Sequence, residues 1–324
     1  MWGIDLTNKK VLVTGGAGFI GSNLVEYLLN NNVKELRVLD NLSTGKIENI
    51  AEFLELPNFT FIKGDIRNSE DCKRACDGID FISHQAALGS VPRSIKDPVT
   101  SNEVNINGYL NMLVAAKEAG VKKIVYAASS STYGDSKTLP KVEENIGMPL
   151  SPYAVTKYAN ELYAHVFALN YDMNIIGLRY FNVFGPKQDP SGAYAAVIPL
   201  FMQAIVEKKS PTLNGTGEQS RDFTYVENAV QANVKALFLN ESTGHHVVNV
   251  ACGEETSLVE LWTMLQKTAG VNIKENYGPA RAGDVKHSLA DLTKVSELLG
   301  YSPEVKVEEG LERTFKYFKT NFQS

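Results

Sequence analysis

The stretch Val11-Leu-Val-Thr-Gly15-Gly-Ala-Gly18-Phe-Ile-Gly21 decides the fold of this chain. Its first four residues are aliphatic or β-branched and predict a buried strand, and the residues from Gly21 to Leu29 predict an amphipathic helix. Glycines at every third position fill the turn between them, where the missing side chains let the backbone turn tightly and approach a ligand closely. The N–H groups at the start of such a helix bind phosphate, so this unit predicts a dinucleotide site.

Short β-rich runs alternate with helical stretches through the first half of the sequence. Strands are predicted at 36–40, 59–62, 81–84, 123–128 and 174–179, with a long helix at 104–119. This alternation predicts an α/β fold, a Rossmann-type doubly wound parallel sheet with helices on both faces. Residues 1–181 would form this dinucleotide-binding domain. The turn-rich sequence that follows predicts a smaller C-terminal substrate-binding domain over 182–324, from which segments near 226–250 return to the first domain.

The composition excludes several classes of protein. The chain has 324 residues and a formal net charge of −5, without the basic stripe of a nucleic-acid-binding protein. No apolar run approaches the roughly 18 residues of a membrane-spanning helix, and the N-terminus lacks the apolar core of a signal peptide. We therefore expect a soluble cytoplasmic protein. Cys72, Cys76 and Cys252 lack further ligands at a suitable spacing, so they predict free thiols and no metal site.

Two acidic positions follow predicted strands at the edge of the sheet where the dinucleotide would lie. Asp40 ends the second strand, where a carboxylate accepts hydrogen bonds from ribose hydroxyls and repels a 2′-phosphate, which favours NAD over NADP. Asp65 and Ile66 follow the third strand and are placed to face the adenine ring. The alternatives are a turn-closing aspartate at position 40 and a solvated loop acid at position 65.

A second informative segment is Ser151-Pro-Tyr153-Ala-Val-Thr-Lys157, which predicts the start of a helix with Ser151 as its N-cap and Pro152 in its first turn. Tyr153 and Lys157 are four residues apart and share one face of that helix. A free tyrosine has a pKa of about 10, and a nearby ammonium lowers it towards the range in which a phenolate acts as a base. Taken alone, the pair is also compatible with an ordinary exposed pair of helical residues.

Motifs along nearly the whole chain support a catalytic interpretation of this pair. They are Gly15-x-x-Gly18-x-x-Gly21, Asp65-Ile66, Gln85-Ala-Ala87, Asn105, the strand ending at Ser129, Tyr153-x-x-x-Lys157, Arg179-Tyr-Phe-Asn182 and Arg221-Asp-Phe223. Together they resemble the motifs of the extended short-chain dehydrogenase/reductases. A closer likeness, to the UDP-sugar C4-epimerases that act on N-acetylated substrates, is carried by His84-Gln-Ala-Ala-Leu-Gly-Ser90-Val-Pro-Arg93 and Lys187-Gln-Asp-Pro-Ser-Gly-Ala-Tyr194.

The resemblance implies roles for the residues of the reaction centre. Tyr153 would take the proton from the sugar 4-hydroxyl, and Lys157 would lower the pKa of Tyr153 and hold the nicotinamide ribose. Ser129 would hydrogen-bond the same 4-oxygen, with Ser130 as the alternative. Asn182 would hold the sugar diphosphate, and Arg221 and Arg281 would offset its charge, because a planar guanidinium matches phosphate oxygens.

The resemblance also implies NAD as the cofactor and a UDP-sugar as the substrate. The expected NAD contacts are Gly15, Gly18, Phe19, Ile20, Gly21, Asp40, Asn41, Ser43, Gly45, Asp65, Ile66, Gln85, Ala86, Ala87, Asn105, Tyr153, Lys157 and Tyr180. The expected substrate contacts are Gly89, Ser90, Ser129, Ser130, Asn182, Ala196, Val197, Arg221, Arg281 and Ser288. Residues 182–324 would then form a UDP-sugar-binding domain.

The two serines after Ser129 limit the reactions that this chain can catalyse. Dehydratases of this family carry an Asp-Glu pair directly after the residue that matches Ser129, and the sugar-nucleotide decarboxylases carry a glutamate at the position of Ser131. Serine does not ionise usefully near neutral pH, so Ser130 and Ser131 cannot supply the acid and the base of an elimination. What remains is oxidation at C4 of the sugar and reduction from its other face, which is the reaction of a 4-epimerase.

Ser288 indicates which sugar the chain accepts. Galactose-restricted relatives carry a tyrosine at this position, and a hydroxymethyl group in its place leaves room of the order of an acetamido group. We therefore expect an isomerase that interconverts UDP-GlcNAc and UDP-GalNAc through a transient 4-keto sugar, as a source of polysaccharide precursors. By analogy with the family, we also expect a homodimer that forms through the helix near Asn105 and the helix of Tyr153.

Three alternatives remain open at this point. The chain could be a UDP-glucose/UDP-galactose 4-epimerase. It could be a UDP-glucuronate 4-epimerase, which needs a cation near C6, and Arg93 is the candidate that the sequence offers. It could also be a non-catalytic NAD-binding scaffold, although the intact set of Ser129, Tyr153 and Lys157 argues against this.

Overall fold

The computed structural model describes residues 2–190, 196–238, 243–279 and 286–321 of the chain. The strands are β1 (Lys10–Thr14), β2 (Glu35–Asp40), β3 (Phe59–Lys63), β4 (Phe81–His84), β5 (Lys123–Ser129), β6 (Ile175–Tyr180), β7 (Val183–Phe184), β8 (Thr212–Asn214), β9 (Ser220–Asp222), β10 (Thr224–Tyr225), β11 (His245–Val250), β12 (Glu255–Ser257) and β13 (Asn276–Gly278). The helices are α1 (Phe19–Asn30), α2 (Ser69–Cys76), α3 (Val91–Lys96), α4 (Pro98–Asn102), α5 (Tyr109–Glu118), α6 (Pro152–Tyr171), α7 (Val197–Val206), α8 (Val226–Phe238), α9 (Leu258–Ala269), α10 (Thr293–Leu299) and α11 (Val307–Asn321). Short 3-10 turns lie at Ile47–Asn49, Ala51–Phe53 and Ser130–Tyr133, and a π-helical segment lies at Glu103–Gly108.

Among the described residues, seven strands form one sheet in the order β11-β6-β5-β4-β1-β2-β3. Every neighbouring pair in it runs parallel. The chain moves outward in opposite directions on the two sides of β1, so the topological switch point lies between β1 and β4. Ligands of such sheets bind outside the carboxyl ends of the strands at the switch point. The predicted Rossmann-type doubly wound sheet is confirmed.

The side chains of β1 alternate between two cores, one on each face of the sheet. Leu12 packs with residues of α2, α5 and α6, whereas Val11 and Val13 pack with residues of α1 and α8. All three side chains are fully buried, and burying each contributes roughly 1.5–3 kcal/mol. A slip of one residue in the register would exchange the two sets of contacts, so the buried pattern fixes the position of the glycine turn that follows β1.

The C-terminal half contributes both to this sheet and to a separate core. Strand β11 pairs with β6 at the edge of the sheet, and α8 packs on α1 and over β4, β5 and β6. Helix α8 and strand β11, the described elements of the segment near 226–250, therefore lie on the sheet of the first half. Helices α7, α9 and α11 enclose a second core around Phe184, Phe201 and Trp262. The division into two domains at residue 181 stays a prediction.

Two helices differ from the prediction. Helix α1 begins at Phe19 instead of Gly21, because the extended Gly18 already serves as its N-cap. The helix predicted at 104–119 is interrupted, since Glu103–Gly108 is π-helical and α5 begins at Tyr109. A π-helical turn carries an extra residue, and such turns are frequent at functional sites. The one seen here contains Asn105, one of the predicted cofactor contacts.

The three cysteines are buried, unpaired thiols. Burial raises the pKa of Cys72 and Cys76 to about 12 and that of Cys252 to about 11, so all three stay protonated near neutral pH. In the parts of the chain that the structure describes, no helix combines the length and the apolar character needed to cross a membrane.

Candidate active site

The glycine turn after β1 has the shape of a phosphate-binding loop. Gly15 has a φ of +67°, which residues with a side chain rarely adopt, and a Cβ there would lie 2.7 Å from the Cα of Ala86. A Cβ on Gly21 would lie 2.2 Å from the carbonyl oxygen of Gly15, so this position requires glycine. Helix α1 begins without a side-chain cap, so its first N–H groups point to the turn without a protein acceptor and fit a pyrophosphate.

Asp40, at the carboxyl end of β2, ties this turn to the sheet. Its Oδ2 accepts a hydrogen bond from the N–H of Ala17 at 3.0 Å, and its Oδ1 accepts one from the N–H of Leu42 at 2.8 Å. Burial raises the pKa of the carboxyl, and the two backbone hydrogen bonds oppose that shift. A carboxylate has about four acceptor sites, so two remain for ribose hydroxyls. Asp40 therefore closes a turn, as the alternative proposed, and also fits the predicted cofactor contact.

Asp65 is held by side chains on two sides. It accepts hydrogen bonds from Arg67 Nη2 at 2.7 Å and from Asn41 Nδ2 at 2.9 Å. The bonds to Arg67 lower the pKa of Asp65 to about 2, against the opposing effect of burial. Asp65 is thus an ionised, positioned acid rather than a freely solvated one. Asn41, Asp65 and Ile66 line the same cavity as the glycine turn.

A closed polar network supports the floor of this cavity next to β4. The hydroxyl of Tyr180 donates to Gln85 Oε1 at 3.2 Å, and Asn233 Nδ2 donates to that hydroxyl at 2.7 Å. Gln85 Nε2 donates to Asn233 Oδ1 at 3.0 Å, which completes the ring. Burial raises the pKa of Tyr180 to about 12, so it stays a neutral hydrogen-bonding group. Asn233 lies on α8, far away in the sequence, and the sequence analysis missed it.

The predicted site residues meet around a cavity of about 920 Å³ at the carboxyl ends of β1, β4 and β5. A second cavity of about 490 Å³ adjoins it and shares Asn182, Val183 and Arg221 with it. Ala196 and Val197 line this second cavity. The predicted residues on the wall of the first are Gly15, Gly18, Phe19, Ile20, Gly21, Asp40, Asn41, Ser43, Asp65, Ile66, Gln85, Ala86, Ala87, Gly89, Ser129, Ser130, Tyr153, Lys157, Tyr180, Asn182, Arg221 and Ser288.

Three predicted contacts lie behind the cavity wall instead of on it. Gly45 packs against the glycine turn, where a Cβ would lie 2.9 Å from the carbonyl carbon of Ala17. Ser90 caps α3 by accepting a hydrogen bond from the N–H of Arg93 at 3.2 Å. Asn105, on the π-helical turn, accepts a hydrogen bond from the N–H of Leu88 at 2.8 Å and shapes the wall from beneath. Arg281, a further predicted contact, lies outside the described residues.

Helix α6 presents Tyr153 and Lys157 to the cavity, as the sequence predicted. Ser151 is its N-cap, accepting a hydrogen bond from the N–H of Ala154 at 3.1 Å, and Pro152 lies in its first turn. Lys157 is 3% exposed, and its Nζ donates to the carbonyl of Ala127 on β5 at 2.7 Å. Its Nζ also lies 5.9 Å from the centre of the Tyr153 ring.

The serines after β5 form an ordered hydroxyl pair. Ser129 is the N-cap of the 3-10 turn Ser130–Tyr133, and its Oγ accepts a hydrogen bond from the N–H of Ser131 at 3.1 Å. The Oγ of Ser131 donates to the same oxygen at 2.9 Å. Ser129 is also the serine that interacts with the Tyr153 phenol. The geometry thus favours Ser129 over Ser130 as the partner of Tyr153.

Burial shifts the pKa values of Tyr153 and Lys157 in opposite directions. Burial raises the pKa of Tyr153, and the hydrogen bond with Ser129 lowers it. Burial lowers the pKa of Lys157 to about 8, so the ammonium is still the main form at pH 7. A phenolate next to this cation is favoured by charge attraction. The phenolate oxygen of Tyr153 can therefore accept a proton, and the Lys157 ammonium beside it offsets the negative charge of the phenolate.

A buried ion pair anchors the same helix one turn further on. Glu161 Oε1 and Oε2 accept hydrogen bonds from Arg179 Nε at 2.9 Å and Nη2 at 2.8 Å, with both side chains almost fully buried. Tyr153, Lys157 and Glu161 are spaced by four residues, so they lie along one face of α6. Arg179 lies on β6, and the fork-like pair therefore fixes the helix face against the sheet.

The structure adds cavity residues that the sequence analysis did not identify. Lys141 lies on the wall near Ser288, whereas Arg93, the cation that the sequence suggested, does not line the cavity. Val91, Ile95 and Leu150 form an apolar rim, with Ile95 63% exposed. No local pattern marks these residues, because a helix and loops far apart in the sequence bring them together.

Comparison with known proteins defines the class of this protein. The model of the NAD-dependent epimerase/dehydratase family matches residues 11–251, and the chain belongs to that family. UDP-glucose 4-epimerase of Mycolicibacterium smegmatis is 35% identical over 97% of this chain and 100% of its own length.

Two solved structures that are similar to this chain are also UDP-sugar 4-epimerases. The structure of UDP-N-acetylglucosamine 4-epimerase from Methanobrevibacter ruminantium, in complex with UDP-N-acetylmuramic acid, has a TM-score of 0.92 at 39% identity, covering 97% of this chain and 99% of that one. A mutant UDP-glucuronic acid 4-epimerase from Bacillus cereus, in complex with UDP-4-deoxy-4-fluoro-glucuronic acid and NAD, has a TM-score of 0.89 at 34% identity, covering 96% and 99%. The cofactor of this family is NAD, and these relatives support an epimerase that acts on UDP-sugars.

Proposed function

We propose that this protein is a UDP-N-acetylglucosamine 4-epimerase that interconverts UDP-GlcNAc and UDP-GalNAc through a transient 4-keto sugar. The observation that carries the proposal is the joint placement of Ser129, Tyr153 and Lys157 on one wall of the cavity, with serines and no carboxylates at 130 and 131. With bound NAD as the hydride carrier, this set could support the oxidation and the reduction of one carbinol carbon by moving its proton. It cannot supply the ionised acid and base that an elimination requires.

Each residue of the site has its own role in the proposed reaction. Bound NAD supplies the hydride acceptor and the hydride donor for C4 of the sugar. The Tyr153 oxygen removes the proton of the 4-hydroxyl and returns it at the end of the cycle. The Lys157 ammonium, 5.9 Å from the centre of the Tyr153 ring, would favour the phenolate through its charge. Ser129 hydrogen-bonds the Tyr153 oxygen and lowers its pKa. The buried floor of Gln85, Tyr180 and Asn233 keeps the pocket rigid during turnover.

Ser288 supports the acetamido sugars as substrates. It lines the same cavity as Tyr153 and Ser129 and is half-buried there, so a side chain at this position limits the width of the cavity. A tyrosine in its place would fill space of the order of an acetamido group. The neighbour from Methanobrevibacter ruminantium is itself a UDP-N-acetylglucosamine 4-epimerase, which favours the same substrate pair here.

The direct experiment is to incubate the purified protein with UDP-GlcNAc, UDP-Glc and UDP-glucuronate, without added NAD, and to resolve the products by chromatography. We expect fastest conversion of UDP-GlcNAc. Faster conversion of either other sugar would assign one of the two alternative epimerase activities. Tyr153→Phe should reduce turnover at least 1000-fold, and normal turnover of this variant would contradict the mechanism. Failure of the wild type to convert any of the three sugars would favour a scaffold.

The Ser288→Tyr variant tests whether Ser288 selects the size of the sugar or affects turnover in general. We expect it to lose conversion of UDP-GlcNAc while it retains conversion of UDP-Glc. Unchanged rates on both sugars would exclude a role of Ser288 in selection. Ser288→Ala is the matched control, because it keeps the space open and removes only the hydroxyl.

We also infer that two copies pair through α5 and α6, as family members do. On the outer face of α6, Leu162, Val166 and Leu169 are 52%, 47% and 74% exposed and form one apolar stripe. Replacing Leu169 with glutamate should shift the sedimentation coefficient from that of a dimer to that of a monomer. Asn170→Glu, next to the stripe, is the control. A wild type that sediments as a monomer would refute the inference.

A further inference from the structure

The residues 286–291, called the Ser288 segment below, bring Ser288 to the wall of the catalytic cavity. Main-chain hydrogen bonds tie this segment to the loop between β5 and α6. The N–H of Lys141 donates to the carbonyl of Leu289 at 2.7 Å, and the N–H of Asp291 donates to the carbonyl of Lys141 at 3.0 Å. Because Leu289 follows Ser288 directly, whatever holds these bonds in place also sets the position of the Ser288 side chain.

The side chain of Asn249, near the end of β11, is fully buried and binds this junction. Its Nδ2 donates to the carbonyl of Lys141 at 2.8 Å and to the carbonyl of Asp291 at 3.0 Å. Its Oδ1 accepts a hydrogen bond from the hydroxyl of Tyr133 at 2.6 Å. Only the nitrogen of an amide can donate to two carbonyls, and it has two N–H groups, so these contacts fix the orientation of the side chain.

Tyr133 belongs to the opposite part of the cavity wall. It closes the 3-10 turn Ser130–Tyr133, which has Ser129 as its N-cap and is called the serine turn below. Tyr133 and Ser129 both line the cavity. Burial raises the pKa of Tyr133 to about 12, so its hydroxyl keeps the proton that it donates to Asn249. Asn249 therefore connects the serine turn with the Ser288 segment through a single side chain.

A second buried side chain, that of Asp222, holds the Ser288 segment to β9. Its Oδ2 accepts hydrogen bonds from the N–H of Ala290 at 3.2 Å and from the N–H of Gly253 at 3.1 Å. These bonds do not involve Asn249 and remain when Asn249 is replaced. We therefore expect the Ser288 segment to loosen in an Asn249 variant while it stays attached to the protein.

We propose that Asn249 is a positioning residue that fixes the spacing between Ser129 and Ser288, and that this spacing determines which UDP-sugars the cavity accepts. The inference rests on the proposed 4-epimerase function and adds a determinant of its selectivity. Asn249 does not line the cavity, so it acts through Tyr133 and the backbone of the Ser288 segment. A wall held in place can discriminate by about 10-fold or more between ligands that differ by one small group, and a loosened wall loses that discrimination.

The test variant is Asn249→Ala, which removes all three side-chain hydrogen bonds. We would measure kcat/KM for UDP-GlcNAc and for UDP-Glc and take the ratio of the two values. We expect the wild type to favour one sugar at least 10-fold and the variant to reduce that preference at least 5-fold. An equal loss on both sugars would indicate a merely structural role and overturn the proposal, as would a wild type without a preference.

The matched control is Tyr301→Phe. The Tyr301 hydroxyl is also buried, and it donates to the carbonyl of Ala251, two residues after Asn249, at 2.7 Å. The control thus removes a buried hydrogen bond in the same neighbourhood and leaves the bonds of Asn249 in place. It should lower the stability of the protein and keep the preference within 2-fold of the wild type. A loss of preference as large as in Asn249→Ala would refute a specific role of Asn249.

Tyr133→Phe breaks the same connection at its other end and decides the matter if Asn249→Ala does not fold. It removes the hydroxyl that binds Asn249 and keeps the ring, which packs against Phe181. We expect the preference between the two sugars to fall at least 3-fold. An unchanged preference would show that the serine turn and the Ser288 segment are not coupled through Asn249.

Calorimetric titration with UDP-GlcNAc and UDP-Glc gives the preference as a ratio of affinities, without turnover. A wild type that prefers UDP-Glc refutes the proposed substrate, and a preference that still falls in Asn249→Ala supports the role of Asn249. A wild type that prefers UDP-GlcNAc, with the same preference in both variants, refutes that role and leaves the proposed function intact. The two failures are therefore distinguishable.

Discussion

Ser131 donates two hydrogen bonds to the Oγ of Ser129, from its backbone N–H at 3.1 Å and from its hydroxyl at 2.9 Å. A hydroxyl oxygen has two acceptor sites, and both are then filled. The hydroxyl proton of Ser129 is left to donate, and its partner on the cavity side is Tyr153. A donor aimed at Tyr153 stabilises the phenolate over the phenol, which is the direction in which Ser129 shifts the pKa of Tyr153.

Replacing Ser131 with alanine should therefore lower the fraction of Tyr153 that is present as the phenolate, without changing Tyr153 itself. Because one of the two orienting bonds is lost, the phenolate is less favoured, and the acidic limb of the pH profile of kcat should move to higher pH. We expect kcat at pH 7 to fall about 10-fold, which is the effect of one hydrogen bond of about 1.4 kcal/mol. Ser131→Thr keeps the hydroxyl and should restore the profile. A fall in kcat without a shift of the profile would contradict this role.

The buried pair of Arg179 and Glu161 should dominate the stability of the site. Arg179→Met leaves the Glu161 carboxylate buried without a partner, which should reduce the free energy of unfolding by about 3–5 kcal/mol in urea titrations. The double variant Arg179→Met, Glu161→Leu removes both charges and should regain most of that loss. If the double variant were as unstable as the sum of the two single ones, the pair would not be coupled in this way.

His84 should make the protein less stable in mild acid. Burial and the charge of Lys157 lower its folded-state pKa to about 3 from an unfolded value of 6.5. The unfolded chain therefore takes up a proton as the pH falls below 6.5, while the folded chain does not until about pH 3. The contribution of His84 to the free energy of unfolding is therefore complete above pH 6.5. It declines by about 1.4 kcal/mol for each pH unit below that value.

The free energy of unfolding at pH 7.5, 6.5 and 5.5 tests this expectation. His84→Gln removes the titrating ring, so stability should depend less steeply on pH than in the wild type. His165→Gln, which removes an exposed histidine of α6, is the matched control. An identical slope for His84→Gln and the wild type would show that another group is responsible.

Alanine substitutions at two glycines of the turn should distinguish an effect on folding stability from an effect on NAD binding. In Gly21→Ala the new Cβ would lie 2.2 Å from the Gly15 carbonyl oxygen, so the turn must distort and stability should fall by about 2 kcal/mol or more. In Gly18→Ala the corresponding distance is 3.1 Å, which a small shift relieves. We expect Gly18→Ala to keep its stability within about 1 kcal/mol while NAD binds at least 10-fold more weakly.

Urea unfolding without cofactor and calorimetric titration with NAD measure the two effects separately. Gly89→Ala is a useful control, because a Cβ there would meet no atom within 4 Å. If Gly18→Ala bound NAD as tightly as the wild type, the turn would not lie as close to the pyrophosphate as its shape indicates.

Features within a few residues of each other could be predicted from the sequence. The strand, glycine turn and helix around Gly15 depend on hydrophobic spacing and on residues without a side chain, and the structure has all three, with α1 beginning at Phe19 instead of Gly21. The N-cap Ser151 and the shared face of Tyr153 and Lys157 depend only on helix geometry. The sequence could not predict where a distant contact places a side chain. Asn105 was predicted as a cofactor contact, and its bonds to Leu88 and Thr156 hold it behind the cavity wall, so that contact stays a prediction.

The sequence by itself thus determined the doubly wound sheet, the dinucleotide turn and the candidate base, because each is encoded in local periodicity or spacing. Only the tertiary structure decided which distant side chains share the cavity with that base. Asn233 reaches Tyr180 and Gln85 from α8, and Lys141 reaches the surroundings of Ser288 through the loop between β5 and α6. Such neighbours are set by how helices and loops pack over the carboxyl ends of the strands, and no spacing along the chain records that packing.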